Sequence, residues 1–346
     1  MRTLTERELN RALLARQLLL ERSALSIPAA LEQLAGIQNQ YAPNAYIRLW
    51  SCRAGFRRVD LDAAYDSGAV VQGTLMRGTI HTISAADYHP FVAGIRGPLR
   101  DWARRVTRGD DSGRDAVLRR VRQALAGRTV RRPDLVAMLA DADPAVRQTI
   151  DIDLELLRVP PSGTWQRRRA DLCRLADEVL GGHEEIGQRA GLEHLVRRYL
   201  AGFGPAGLRD IADFTGVPPA ALKPVVETMD LIRYADEAGR PLFDTAGAPL
   251  PDADTPAPVR YLPTWDAVLL VHARRTGVLP EQYRPLIFHT KMPPSYPTFL
   301  VDGRVAGTWR YDAERGELDL APFAPLASAV TVELEAEAIG LAELHR

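Results

Sequence analysis

The sequence predicts an α+β protein: tandem winged-helix units, each a helix-turn-helix plus a β-hairpin, with a C-terminal β-rich domain. Three observations predict this fold class. Helical patterns that end in a short strand pair occur three times along the chain. The length of 346 residues is too great for a single core. Beyond residue 258 the helical spacing gives way to strand patterns, and Asp302-Gly303 is a strong hairpin signal.

The first unit, residues 1–95, begins with a helix that Thr5 and Glu8 start through a capping box. Ser26 caps a second helix, which has Pro28 in its first turn. The remaining elements predicted here are helices over residues 44–53 and 61–67 and paired strands over residues 70–75 and 78–83. Helices closed by a strand pair are the order of a winged helix.

The pattern recurs in a second unit, residues 96–190, and a third, residues 191–257 with a Pro/Ala/Asp-rich linker at its end. The second contains predicted helices over 114–126, 132–140 and 144–150, a strand over 154–159, and a return strand over 164–169 that makes a second wing. The third contains helices over 191–200, 208–214 and 218–229 and strands over 231–234 and 241–243. The C-terminal domain, residues 258–346, contains predicted strands over 298–301, 304–309 and 330–336.

Charge is unevenly distributed although the chain as a whole is neutral. Residues 96–132 carry a net charge of +8 and residues 311–346 a net charge of −6. A polyanion could therefore bind one face of the molecule, although a solvated helix face explains the basic stretch equally well.

Several function classes lose their usual support. The chain has no phosphate-binding loop, no nucleophile elbow and no zinc-protease motif. The seven histidines show no metal-ligand spacing, so we expect no metal, and no cofactor is implied. No apolar run is long enough to span a membrane, and no signal peptide is present, so we expect no membrane partner and a cytoplasmic location.

The polar triplet Gln38-Asn39-Gln40 is the candidate for chemistry. It follows Leu31, Leu34 and Ile37, the apolar stripe of the second predicted helix. Two glutamines at positions i and i+2 of a non-helical terminus can point toward the same opening. The spacing alone is explained more simply by a solvated helix end.

Seven segments spread over nearly the whole chain add to this interpretation. They are LAGIQNQ (34–40), YIRLW (46–50), TLMRGTIH (74–81), VPPSGTW (159–165), FGPA (203–206), YLPTWD (261–266) and VDGRVAGTW (301–309). Together they resemble the AlkZ/YcaQ family of winged-helix DNA glycosylases. The resemblance implies a concave DNA channel and the removal of N-alkylated purines, including bulky adducts of DNA-alkylating natural products and, in one branch, interstrand crosslinks.

The same resemblance implies roles for the triplet. The signature of the family is Gln-x-Gln, or Gln-x-Asp in the crosslink branch, so Gln38 and Gln40 become the expected catalytic residues. Asn39, expected at the DNA, departs from the apolar or small residue usual between them. A carboxamide is no base, but an N7- or N3-alkylated purine is cationic and already leaves readily. Positioned water and oriented dipoles then suffice.

Further residues are expected to contact DNA. Arg77 and His81 lie on the first hairpin, and a surface arginine and a satisfied histidine explain them equally well. The other expected contacts are Arg167, Arg168 and Arg169 at the second wing and His272, Arg274 and Arg275 after an apolar run. Phosphate contacts of this kind position a protein without specifying sequence, and simple surface exposure accounts for these residues about as well.

The sequence thus predicts a monofunctional DNA glycosylase for repair or self-resistance, since neither lysine lies near the triplet and a lyase step needs an amine. The expected partner is duplex DNA with alkylated purines, bound by a nucleoid-associated monomer without an obligate protein partner. One alternative is a non-catalytic winged-helix DNA-binding regulator. Another is a resistance factor that sequesters adducts without cleaving them.

Overall fold

The structure is a computed structural model that describes residues 1–270, 277–288 and 295–346, and it is α+β as predicted. The α-helices in the described part are α1 (Glu6–Arg16), α2 (Ile27–Gln33), α3 (Pro43–Cys52), α4 (Arg58–Asp66), α5 (Ala85–Thr107), α6 (Arg114–Leu125), α7 (Arg132–Met138), α8 (Pro144–Asp153), α9 (Ala176–Leu180), α10 (Gln188–Phe203), α11 (Leu208–Thr215), α12 (Pro219–Thr228), α13 (Ala267–Leu270), α14 (Arg284–Ile287) and α15 (Ser328–His345). The strands are β1 (Thr3–Leu4), β2 (Ile37–Gln38), β3 (Val70–Thr74), β4 (Ile80–Ser84), β5 (Val130–Arg131), β6 (Leu156–Arg158), β7 (Leu172–Leu175), β8 (Ile232–Asp236), β9 (Pro241–Asp244), β10 (Arg260–Leu262), β11 (Thr298–Val301), β12 (Arg304–Asp312) and β13 (Glu317–Pro322). None of the described helices is long and apolar enough to cross a membrane.

The first two predicted units share one six-stranded sheet, in the order β2-β4-β3-β6-β7-β5. The first hairpin, β3 and β4, forms as predicted. It joins the second hairpin because β3 pairs antiparallel with β6, with Gly73 opposite Leu157. The pairing of the two hairpins brings the loop after β6 close to the end of the Gln-Asn-Gln triplet.

The second hairpin has a different return strand from the one predicted. Residues 164–169 form no strand; the backbone N–H groups of Gly163 and Thr164 donate to Arg167 O, which folds this segment into a compact tip. The strand that pairs with β6 is β7. Turn-forming Pro160, Pro161 and Gly163 make the loop longer than a tight hairpin, and the local sequence gives no measure of that length.

Helix α5 was not predicted and packs against α10 across the core. The contact is close because a glycine lies on each side: a Cβ on Gly94 would lie 2.9 Å from Gly191 C, and one on Gly191 would lie 2.7 Å from Pro90 O. Backbone atoms cannot yield as a flexible side chain can. Both glycines are therefore required by the approach of the two helices.

We expect Gly191→Ala to destabilise the protein by about 1–3 kcal/mol, since overpacking against backbone outweighs the gain in helix propensity. Gly97→Ala is the matched control on α5, because its Cβ would meet only the movable end of Gln188, at 3.0 Å. Urea unfolding of both variants measures the difference. Equal midpoints for the two variants would contradict the close approach.

The helices and the hairpin predicted in the third unit are present as α10, α11, α12, β8 and β9. Its sheet gains a strand that was not predicted, since β1 pairs parallel with β8. The N-terminal residues thus pack beside the third unit. Helices followed by a hairpin are the order that a winged helix requires, and both that assignment and the four domain boundaries stay predictions.

In the C-terminal part, the Asp302-Gly303 hairpin between β11 and β12 is confirmed, and β10 to β13 form one antiparallel sheet. The strand predicted over residues 330–336 is wrong, because these residues lie within α15. Its buried residues Leu334, Ala338 and Leu341 follow helical spacing, whereas Val332 is 64% exposed. The longer helical pattern, which is rich in Ala, Leu and Glu, therefore determines the structure of this segment, and the short alternation does not.

The basic stretch of residues 96–132 is largely neutralised by acidic groups from other parts of the chain. The arginines paired with acidic groups outside the stretch are Arg96, Arg100, Arg114, Arg120, Arg122, Arg131 and Arg132, whereas Arg104 pairs with Asp101 and Asp111 inside it. Arg100 and Arg114, for example, share the buried carboxylate of Asp153. The excess charge in the sequence therefore overstates the positive field that this region presents.

Candidate active site

The Gln-Asn-Gln triplet is located at the edge of the six-stranded sheet. Helix α2 ends at Gln33, earlier than predicted, and Ile37 lies in β2 instead of on a helical stripe. Ala35 and Gly36 both have positive φ angles, 57° and 83°, which turn the chain from the helix into the strand. Strand β2 pairs with β4, so that Gln38 is directly opposite His81.

The three residues of the triplet have different environments. Gln38 is 8% exposed, Asn39 is 2% exposed and Gln40 is exposed. In the orientation that satisfies its hydrogen bonds, Asn39 Nδ2 donates to Tyr41 O at 3.0 Å and Oδ1 accepts from Thr82 Oγ1 at 3.0 Å. Asn39 therefore fastens the end of β2 to the sheet, and its expected DNA contact stays a prediction.

Arg77 fixes the orientation of the Gln38 amide. Its Nη2 donates to Gln38 Oε1 at 2.7 Å, and Nη1 donates to Phe214 O. A guanidinium only donates, so Gln38 must present Oε1 to it. Burial lowers the pKa of Arg77 to about 10, which still leaves the guanidinium charged at neutral pH. Arg77 therefore lies beside Gln38 and is not a simple surface arginine, and its expected contact with DNA stays a prediction.

His81 is buried, with 1% of its surface exposed, on the face that carries Gln38. Nδ1 lies 2.9 Å from Thr79 O; since a carbonyl only accepts, Nδ1 carries the proton and donates it. Burial, followed by the charge of Arg77, lowers the pKa of His81 to about 3, although the hydrogen bond to Thr79 opposes them. His81 is thus neutral at physiological pH, and its predicted role at DNA is untested.

Because His81 titrates near 6.5 in the unfolded chain and at about 3 in the fold, only the unfolded state gains its proton between these values. Between these two pKa values, the contribution of His81 to the free energy of unfolding therefore falls by about 1.4 kcal/mol for each unit by which the pH is lowered. We expect His81→Asn to reduce the loss measured by urea unfolding between about pH 7 and about pH 5. Part of the pH dependence of stability should remain in this variant, because burial also lowers the pKa of His345, to about 4. An unchanged pH profile in His81→Asn would refute this assignment.

A buried ion pair lies beside Gln38. Arg48 Nε contacts Asp266 Oδ2 at 3.0 Å, and both side chains are 3% exposed. The pair borders a cavity of about 10 Å³ that Gln38 and Trp265 also line. That volume has room for about one water molecule. Arg48 Nη1 is buried without a hydrogen-bond partner and is a donor for such a water.

The predicted second-wing arginines divide between two partners. Arg168 reaches the end of the triplet, where Nη1 donates to Tyr41 OH at 2.7 Å and the guanidinium lies 5.5 Å from the Tyr41 ring centroid. Arg167 and Arg169 lie near Asp171, at 2.9 and 4.0 Å. Their DNA contacts stay predictions. The other expected DNA contacts, His272, Arg274 and Arg275, lie outside the described residues.

Comparison with known proteins gives the family. A profile of the family described as "DNA glycosylase AlkZ-like" matches residues 31–344. The chain belongs to the AlkZ-like DNA glycosylases. A solved structure of the Streptomyces sahachiroi DNA glycosylase AlkZ is similar, with a TM-score of 0.82 and 19% identity, over 98% of this chain and 97% of that one. No curated protein sequence matches the chain.

In this AlkZ-like glycosylase, three side chains beside the triplet were not singled out from the sequence, namely Arg48, Asp266 and Tyr41. Arg48 lies in YIRLW and Asp266 in YLPTWD, two of the segments that carried the family resemblance. A family resemblance draws attention to these positions, but it does not show that Arg48 and Asp266 contact each other. Tyr41 follows the triplet directly, and its exposure of 43% is visible only in the structure.

Proposed function

We propose that this glycosylase hydrolyses the N-glycosidic bond of cationic N7- or N3-alkylated purines in duplex DNA, in the cytoplasm, as a monofunctional enzyme. Its substrates in this proposal include bulky adducts and crosslinks formed by DNA-alkylating natural products, in repair or self-resistance. The observation that carries the proposal is the position of the Gln38 carboxamide in an edge strand, beside a cavity with room for about one water, with Gln40 exposed two residues further on.

The size of that cavity bears on the substrate. Glycosylases that flip a base need a pocket for the base, and a cavity of about 10 Å³ cannot hold a purine. Gln40 and Tyr41, by contrast, are exposed next to Gln38. A lesion approached at the surface can keep its adduct outside the protein, which favours bulky substrates.

The chemistry fits a cationic leaving group. As the C1′–N9 bond breaks, the bonding electrons neutralise the alkylated purine and the sugar approaches an oxocarbenium state, as in glycoside hydrolysis. Gln38 Oε1 keeps one lone pair beside its bond to Arg77 and can orient a water toward C1′. Water then adds to C1′ and releases its proton to solvent. A carboxamide does not activate water as a base, so a neutral purine would leave too slowly.

A monofunctional reaction is supported by the environment of the site. A lyase step needs an amine nucleophile, and Lys223, the lysine that the described residues include, lies exposed on α12 beside Glu227. Arg77 hydrogen-bonds to Gln38 and His81 lies opposite it in the sheet, and neither offers an amine nucleophile.

Release of modified bases from duplex DNA tests the proposal. We expect release of N7-methylguanine, which is cationic, and none of O6-methylguanine, which carries the same methyl group on a neutral base. DNA with a bulky N7 adduct should also be a substrate. Equal release of both methylguanines would overturn the charge argument. Tight binding to every adduct without release would favour the sequestering factor instead.

A further inference from the structure

A cluster of two histidines and a glutamate lies away from the glutamine triplet. It assembles His89 of α5, Glu155 between α8 and β6, and His183 between α9 and α10. His89 Nδ1 lies 2.8 Å from Glu155 Oε2, and His183 Nε2 lies 3.4 Å from the same oxygen. Three segments distant in sequence thus aim one ligand atom each at a common point.

We propose that His89, Glu155 and His183 form a binding site for one divalent transition-metal ion, for which zinc is the best match. Two imidazoles and a carboxylate are ligands that zinc takes in proteins. A tetrahedral ion with bonds of about 2.1 Å separates its ligand atoms by about 3.4 Å. The separation of His183 Nε2 from Glu155 Oε2, 3.4 Å, equals that value, the separation of His89 Nδ1 from the same oxygen, 2.8 Å, is shorter, and all three atoms lie within 4.8 Å of one another.

The hydrogen bonds around the cluster show which protons an ion would replace. His89 Nδ1 donates to Glu155 Oε2 and would give up that proton to the ion. His183 Nδ1 lies 2.7 Å from Glu184 O and donates to it, so Nε2, which faces Glu155 Oε2, is the nitrogen that the ion would take. A backbone carbonyl on the second ring nitrogen is the usual support of a metal-bound histidine.

Glu155 is held in the same way. Arg96 Nη2 donates to Oε1, so a metal ion would take Oε2 in place of the proton that His89 donates to it. Glu155 also has a φ of 54°, a backbone conformation that a non-glycine residue rarely adopts.

The site has room for a fourth ligand and for adjustment. A cavity of about 450 Å³ borders both histidines and leaves space for a water on the ion. The two rings are stacked with centroids 3.6 Å apart, so chelation requires His183 to turn out of the stack. His183 is one-third exposed and lies in the irregular segment of residues 181–187, beside Gly181 and Gly182, where it can turn.

Sequence spacing gave the opposite expectation because the ligands come from separate elements. Metal motifs are recognised by short separations along one segment, whereas here the fold supplies the proximity. The inference does not depend on the proposed base release, since the site uses none of the residues around Gln38.

Zinc and cobalt titration of the chelator-treated, full-length protein tests the proposal. We expect one equivalent of zinc to bind by calorimetry, zinc to raise the thermal midpoint, and cobalt to give the visible absorption of a four-coordinate ion. His183→Ala and Glu155→Gln should each weaken zinc binding by about tenfold or more. His183→Ala changes an exposed side chain, so its fold should persist by circular dichroism.

His194→Ala is the matched control, because His194 is 30% exposed and pairs with Asp87 at 2.6 Å without a third ligand. It should bind zinc as the wild type does. Zinc affinity that is the same in His183→Ala, Glu155→Gln and the wild type would overturn the site. So would the absence of a stoichiometric zinc equivalent in the wild type, which would reduce the cluster to an ion-pair network.

Discussion

Gln38→Ala is expected to slow release of N7-methylguanine by about 10²–10³-fold, the usual effect of removing one preorganised dipole from a reacting centre. The variant loses the carboxamide that Arg77 holds in a single orientation, at 2.7 Å. Gln40→Ala should have an effect of similar direction. Single-turnover rates on duplex DNA, with excess enzyme, measure the chemical step without product release.

Binding must be measured beside the rate, because a variant that no longer binds DNA also fails to react. We expect the affinity of Gln38→Ala for the same duplex to change little, since Gln38 is buried and Arg168 and Tyr41 remain at the surface. Gln123→Ala, an exposed glutamine on α6, is the control and should react as the wild type does. Unchanged release by both Gln38→Ala and Gln40→Ala would show that the reacting centre lies elsewhere.

Much of the fold could be predicted, because its signals are local. The capping box of Thr5 and Glu8 and the cap at Ser26 are present as predicted, and the Asp302-Gly303 hairpin forms. Each depends on residues within four positions of one another. Helix α15 was not predicted because seven residues alternate between apolar and polar, as in a strand. The helical spacing becomes visible only over the whole segment. The return strand β7 was missed because loop length is not encoded locally.

In the candidate site, too, the residues with local sequence signals were predicted and the contacts between distant elements were not. The triplet and its neighbours Arg77 and His81 were found by pattern and resemblance, and the structure brings them together through the pairing of β2 with β4. Arg48 and Asp266 could not be paired, since no local pattern links α3 with the end of the segment YLPTWD. The same reason hid the cluster of His89, Glu155 and His183. Contacts between distant elements follow from tertiary packing, which spacing along the chain does not report.

Asp266→Asn is expected to destabilise the protein by about 3–5 kcal/mol, because it leaves the charge of Arg48 buried without its partner. Burial raises the pKa of Asp266 despite the attraction of Arg48. The folded carboxyl thus holds its proton more tightly than the unfolded one, and this group costs stability as pH rises through its titration. Burial of the Asp266 carboxylate therefore opposes folding, and Arg48 offsets only part of that cost. The place of the pair beside Gln38 argues that it fixes the wall of the one-water cavity.

Urea unfolding of three variants separates these contributions. Asp141→Asn breaks an exposed pair with Arg120 and should leave the urea midpoint almost unchanged. The double variant Arg48→Met, Asp266→Leu removes both buried charges and should recover most of the stability lost in Asp266→Asn. If the pair positions Gln38, this stable double variant should still release N7-methylguanine slowly. It also lacks Arg48 Nη1, which could donate to a water in the cavity. A double variant with wild-type stability and wild-type release would reduce the pair to a dispensable core contact.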